Sequence, residues 1–446
     1  MRILILAAVA VLAGPSFAQA PPAEPTPATR AMAAGYKALM VCGALKNAEA
    51  AGGSRTVESV EANELVGIYP ELDALVREMP AEVGSHSVSV RWDETLPPRT
   101  ALFERGHGCS IMPVGWTGRG PERAHGRPPA RPRPLIEAAP RGDAAALGAV
   151  VARALDEGYG SGTNTTGVVI LQDGRLVAEH YAPDFGPDVP QRTWSVAKSL
   201  AGTVIGAAVQ RGEVDVNAPA AIADWSRERD PRGAITLDNL MRMASGLTSD
   251  FAGNRTDALY FGGVGVDEQA TTWPLIAAPG SRFRYANNDI LLAILGIAPT
   301  FGEHPPAELF RTLGMLDTVA ETDWRGNYVL SSQVWSTARD LARFGQLYVD
   351  DGVVDGERIL PEDWRDYVSR PSGPQPNGEQ GYGATFWLFD KSEGIPADAI
   401  SANGNRGQYV VIVPSRNIVI VRRGEDPAGK RFDFIAFTRD VLAALD

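Results

Sequence analysis

The segment Ser195–Arg211 constrains this chain more than any other. Read as a helix, it is apolar on nearly every face, through Val196, Ala197, Leu200, Val204, Ile205 and Ala208. Such a helix has no side to give to water and belongs in the middle of a core. A serine and a lysine stand at its mouth. Ser195 and Lys198 are three apart and so share a helix face. A serine hydroxyl is a poor nucleophile until a neighbouring base takes its proton. Burial opposes the ammonium form of a lysine and so makes Lys198 a candidate for that base. Ser195 at a helix start also puts its own N–H at the positive end of the dipole, where an oxyanion is stabilised. Ser-x-x-Lys by itself is often a chance surface pair. Here the chain has only five lysines among 42 basic residues, and no other lysine follows a serine at this spacing.

Two further segments carry groups of the same chemistry. Tyr285-Ala286-Asn287 precedes an apolar helical stretch. A phenol there can relay a proton, and an amide can hold a carbonyl or the lysine. The plainer alternative is a capped helix start, with Asn287 as N-cap and Tyr285 packed. Gly404-Asn405-Arg406-Gly407-Gln408 enters a strand, where glycine permits close backbone approach to a ligand or merely makes a hairpin bend.

In this order the three segments resemble the serine β-lactamase and D,D-peptidase superfamily, most of all its class C-like branch of esterases and 6-aminohexanoate-oligomer hydrolases. Thr236–Leu247, Ser336–Gly345 and Gly381-Tyr382-Gly383 extend the likeness, which covers 143–446. It implies a β-lactamase/transpeptidase-like α/β (α+β) fold: an antiparallel sheet flanked by helices, with a helical subdomain. It implies Ser195 as the acylated nucleophile, Lys198 as its base, Tyr285 as proton shuttle and Asn287 as an orienting group. The oxyanion would rest on the N–H of Ser195 and on one from the last strand, Gln408. The third box of that superfamily is usually Lys or His, then Thr or Ser, then Gly. Asn405-Arg406-Gly407 departs from it. The loss weakens a β-lactam or D-Ala-D-Ala reading and favours ester or linear amide hydrolysis. Arg406 would restore a grip on a substrate carboxylate if its side chain faced the cleft, with Gly407 and Gln408 beside it. A binding or regulatory module on the same fold is the non-enzymatic alternative. A lipase-type site is excluded, because no Gly-x-Ser-x-Gly surrounds any serine and only five histidines occur, at 86, 107, 125, 180 and 304.

The remainder of the chain supplies the setting. Met1-Arg2, the apolar run Ile3–Ala13, and Ser16 and Ala18 before a cleavable bond describe a signal peptide over 1–18, since the run is too short to span about 30 Å of hydrocarbon. An exported, periplasmic destination without a membrane anchor is therefore the expectation. Residues 19–30 read as a flexible leader, 31–113 as a small α+β unit, 114–142 as a Pro/Arg-rich linker draped over a domain, and 143–446 as the catalytic domain. Cys42 and Cys109 are the only cysteines. In an oxidising compartment they form one disulfide; the alternative is two buried thiols. Zinc-site spacing is absent, so no metal or other cofactor is expected. A net charge of −12 argues against nucleic acid as a partner; the resemblance implies a small-molecule ester or amide as substrate.

Overall fold

The computed structural model describes residues 24–118, 134–248, 256–371 and 373–446. The expected signal peptide lies outside them, as does the middle of the expected linker.

A helix over Pro27–Ala51 opens the described chain. It starts inside the segment expected as leader, because Pro27 presets the first turn and the Thr26 hydroxyl accepts from the Thr29 N–H at 3.1 Å. Its middle turns are buried on every side, from Ala33 to Ala44. One side packs on a four-stranded antiparallel sheet, Ala81–Val83, Ser87–Val90, Arg99–Glu104 and Gly108–Ile111, paired in chain order. The other side meets the large domain. There Gly43 lies flat on the Trp335 indole, where a Cβ would overlap the ring. Cys42 of this helix is bonded to Cys109 of the last strand.

The large sheet has seven strands in the order Gly381–Tyr382, Trp387–Leu388, Ile400–Gly404, Gln408–Val413, Ile418–Gly424, Thr165–Gln172 and Arg175–Tyr181. Every neighbouring pair is antiparallel. A tight turn at Asp173-Gly174 joins the last two of these strands. Alternation along the strands divides two cores. Val168 and Ile170 face the helices Ala144–Leu155 and Phe434–Ala444. Val169 and Leu171 face the opposite layer, which holds the helices Val196–Gln210 and Ala338–Val349. The strand Ile400–Gly404 has little strand propensity of its own in Ser401-Ala402-Asn403-Gly404. It exists because both its edges are paired. The end of the expected linker guards an edge of this sheet. Ala138 donates to the Leu176 carbonyl at 3.0 Å and Leu176 to the Ile136 carbonyl at 2.9 Å, so the outer strand is covered.

The disulfide closes a chain segment of 67 residues. Replacing both cysteines with serine is expected to cost about 4 kcal/mol by loop entropy. Denaturant unfolding of the pair variant checks this, and a midpoint equal to wild type would contradict it.

Candidate active site

The approach to Ser195 is built from a short strand and a strained turn. Gln191–Arg192 pairs with Val334–Ser336, and the Thr193 N–H donates to the Val334 carbonyl at 2.8 Å. Trp194 then takes φ +49°, a left-handed conformation that is costly for a bulky side chain. It is held there by Arg192, whose guanidinium carbon sits 3.7 Å from the centre of the indole. The turn delivers Ser195 to the first position before the helix Val196–Gln210.

Lys198 is fully buried one turn along. Its Nζ lies 2.9 Å from Ser195 Oγ, 2.7 Å from Asn287 Oδ1 and 2.8 Å from the Ser331 carbonyl oxygen. Burial, with the positive Arg192 as a second cause, lowers its pKa to about 7. A neutral amine has two N–H donors and one lone pair. Asn287 Oδ1 and the Ser331 carbonyl can only accept, so they take both donors. The lone pair is then left for the Ser195 hydroxyl. This arrangement suits a general base.

Asn287 is the first residue of the helix Asn287–Ile297, and the capping position is Ala286. The amide therefore serves Lys198, and the capping alternative is not realised. Tyr285 makes a side-chain hydrogen bond with Ser195, and its ring centre is 5.2 Å from Lys198 Nζ. Burial raises its pKa, so the phenol stays protonated near neutrality. Trp387 and Tyr382 wall it in, with ring centres at 5.3 Å and 5.9 Å. Ser195, Lys198, Tyr285 and Asn287 are thus brought together from two helices and the loop between distant segments.

The third segment behaves differently. Arg406 does not face the cleft. Its guanidinium is buried, paired with Glu425 at 2.6 Å, and donates to the carbonyls of Asn63 at 2.8 Å and Gly67 at 3.2 Å. The expectation of a carboxylate grip is corrected: with these partners at Nε and both terminal nitrogens, Arg406 clamps the N-terminal unit to the sheet. Gly407, at φ +79°, is packed against the Arg422–Asp426 pair, so it too is structural. The Gln408 side chain is buried, accepting from Arg423 at 2.7 Å and donating to Gly424. The residue pressed on the nucleophile is Gly404, across the ladder from Gln408. A Cβ there would stand 3.2 Å from the Ser195 nitrogen and overlap the Thr193 carbonyl.

Sequence reasoning did not single out Arg192, Ser331 or Trp387 as members of this site, whereas the close glycine approach expected of the third segment is made by Gly404. Arg192 lies three residues before Ser195, which was its one available signal. Ser331 contributes only a carbonyl oxygen, which every residue has.

With the geometry in view, comparison with known proteins gives a consistent result. A sequence model of the Beta-lactamase family matches residues 151–423. The chain belongs to the β-lactamase family. A 6-aminohexanoate-dimer hydrolase of Paenarthrobacter ureafaciens is 26% identical over 299 residues, which are 59% of this chain and 74% of that protein. Among solved structures, a Bacillus anthracis protein provisionally assigned as a 6-aminohexanoate-dimer hydrolase aligns with a TM-score of 0.55 at 22% identity, covering 66% of this chain and 80% of the other. A β-lactamase/D-alanine carboxypeptidase of Pseudomonas syringae aligns at 0.52 and 14%, covering 68% and 99%. This member of the β-lactamase family has the β-lactamase/transpeptidase-like fold and is a serine hydrolase of that type. Among the described residues no helix is long and apolar enough to cross a membrane, and no cluster of His, Cys, Asp or Glu is arranged to hold a metal ion.

Two outcomes are expected. Gly404→Val should push the strand off the nucleophile turn and lower kcat on the order of 100-fold, the scale of losing one oxyanion donor; stopped-flow acylation of Ser195 reads it. Arg406→Ala should instead leave Glu425 buried without its partner and cost about 3–5 kcal/mol of stability, while KM in the folded protein stays near wild type.

Proposed function

We propose that this serine hydrolase cleaves a linear amide or a carboxylic ester through an acyl-enzyme on Ser195. The observation that carries the reading is the buried Lys198 Nζ 2.9 Å from Ser195 Oγ, with Asn287 Oδ1 and the Ser331 carbonyl placed to take its N–H donors and the Tyr285 phenol beside both.

In acylation, Ser195 Oγ attacks the substrate carbonyl carbon as its proton passes to Lys198 Nζ. The oxyanion is held by the Ser195 N–H at the helix start and by main chain at the end of strand Ile400–Gly404. Collapse breaks the bond to the leaving nitrogen or oxygen. Tyr285 donates its proton to that atom and is reprotonated from the Lys198 ammonium. In deacylation a water attacks the ester carbon and gives its proton to the same pair, and Ser195 Oγ leaves and recovers its own. Atoms and charge balance over the cycle, and no metal or other cofactor takes part.

The sequence likeness to a 6-aminohexanoate-dimer hydrolase supports a linear amide as the substrate class. The burial of Arg406 against Glu425 supports a substrate that needs no carboxylate grip from that residue. The Cys42–Cys109 disulfide supports export to an oxidising compartment such as the periplasm.

The test uses the mature protein and Ser195→Ala with p-nitrophenyl butyrate, linear 6-aminohexanoate dimer and a chromogenic cephalosporin. Wild type should release nitrophenol and cleave the dimer with a transient acyl mass that Ser195→Ala lacks, and should leave the cephalosporin nearly untouched. Cephalosporin turnover above both would reverse the substrate assignment. Binding without turnover of any of them would point to the regulatory module. Because the free base of Lys198 is required, kcat/KM should fall as pH drops through about 7 and level off above it.

A further inference from the structure

Arg192 is almost fully buried, yet no carboxylate lies within ion-pair distance of it among the described residues. Burying an unpaired charge is expensive, and proteins keep such a charge where it performs a task. Its contacts show where that task would be. The guanidinium stacks on Trp194, the strained residue directly before Ser195. It donates to the Ser332 hydroxyl at 2.9 Å and to the Ser332 carbonyl at 3.4 Å, one residue beyond the carbonyl that accepts a hydrogen bond from Lys198. Its remaining nitrogen points at Met40 Sδ, 3.6 Å away on the N-terminal helix. That helix also supports the neighbouring residues. Tyr36 packs edge-on against Phe261 with ring centres 4.6 Å apart, and Gly35 lies beneath the Phe261 carbonyl.

We propose that Arg192 is a positioning residue for the Ser195–Lys198 pair, and that the N-terminal helix is the wall that holds it in place. This rests on the reading of Lys198 as the base. The guanidinium fixes the turn before the nucleophile and the loop that accepts from Lys198. As a nearby positive charge it also opposes protonation of that lysine. The groups facing Arg192 leave this charge largely uncancelled. Tyr36, Tyr69 and Tyr260 are held neutral by burial, which raises each phenol. Glu321, which accepts from the Cys109 N–H, is raised to about 7 and is only partly ionised near neutrality. The groups facing Lys198 are the uncharged Ser195, Asn287, Ser331 and Tyr285. The N-terminal unit is thus part of the catalytic apparatus although it supplies no reacting atom.

The experiment exploits the scarcity of lysine. In the full chain labelled with 13Cε-lysine, only five side-chain environments exist, and the Lys198 signal is the one missing from Lys198→Ala. Its titration is followed directly, because Glu321 ionises in the same range and would blur a rate profile alone. Arg192→Gln should raise the Lys198 midpoint by about one pH unit and carry the acid limb of kcat/KM upward with it. Arg192→Lys, which keeps the charge, should return both towards wild type. An unmoved Lys198 midpoint in a folded Arg192→Gln overturns the proposal. Should that variant fail to fold, Met40→Ala removes the wall instead. A lowered kcat at unchanged KM then supports the proposal, and wild-type kcat overturns it. Failure of the underlying reading is separate and visible elsewhere: Lys198→Ala would keep its turnover.

Discussion

A buried amine whose charged form burial disfavours is the constraint on which this molecule is organised. Lys198 sits where water cannot reach it, on a helix that the sequence makes apolar all round. A lysine in such a place is tolerated only if it is neutral and its two N–H groups are satisfied. Asn287 and the Ser331 carbonyl meet that need, and they come from segments 89 and 133 residues away in the chain. The helix, the loop before Asn287–Ile297 and the loop around Ser331 are therefore fixed relative to one another by one nitrogen.

The seven-stranded sheet serves as the frame for this arrangement. Its alternating valines and isoleucines separate two hydrophobic layers, and the nucleophile helix lies in one of them. The end of strand Ile400–Gly404 then comes up against the Ser195 nitrogen, which only a residue without a side chain allows. The hairpin beyond it is buried and tied down. Arg406, Gly407 and Gln408 spend their polar groups on Glu425, the Arg422–Asp426 pair, Arg423 and the N-terminal unit. A segment that resembles a substrate-binding box is here a joint between two parts of the molecule.

That joint gives the N-terminal unit a structural relation to the site that its sequence does not announce. The unit reaches the large domain at Arg406 on one side and at Arg192, Phe261 and Trp335 on the other. Its central helix has almost no solvent face over its middle turns, because it separates its own sheet from the large domain. The Cys42–Cys109 bond ties that helix to the strand whose neighbour, Ser110, donates to the Thr322 carbonyl of the large domain at 2.8 Å.

Local pattern alone determined the apolar helix with Ser195 and Lys198 at its mouth. Periodicity and turn chemistry act between residues a few positions apart, so they are written in the order of the letters. Tyr285 and Asn287 were legible through resemblance to a known superfamily. Only the tertiary structure decided that Asn287 serves a lysine instead of a helix cap, that Arg406 faces inward, and that Ile400–Gly404 is a strand. It alone brought Arg192 and Ser331 to the site. Each of these depends on which distant group completes a hydrogen bond or neutralises a charge. A guanidinium or an amide can take many partners, and the fold chooses among them by leaving no buried donor or charge where its cost goes unmet.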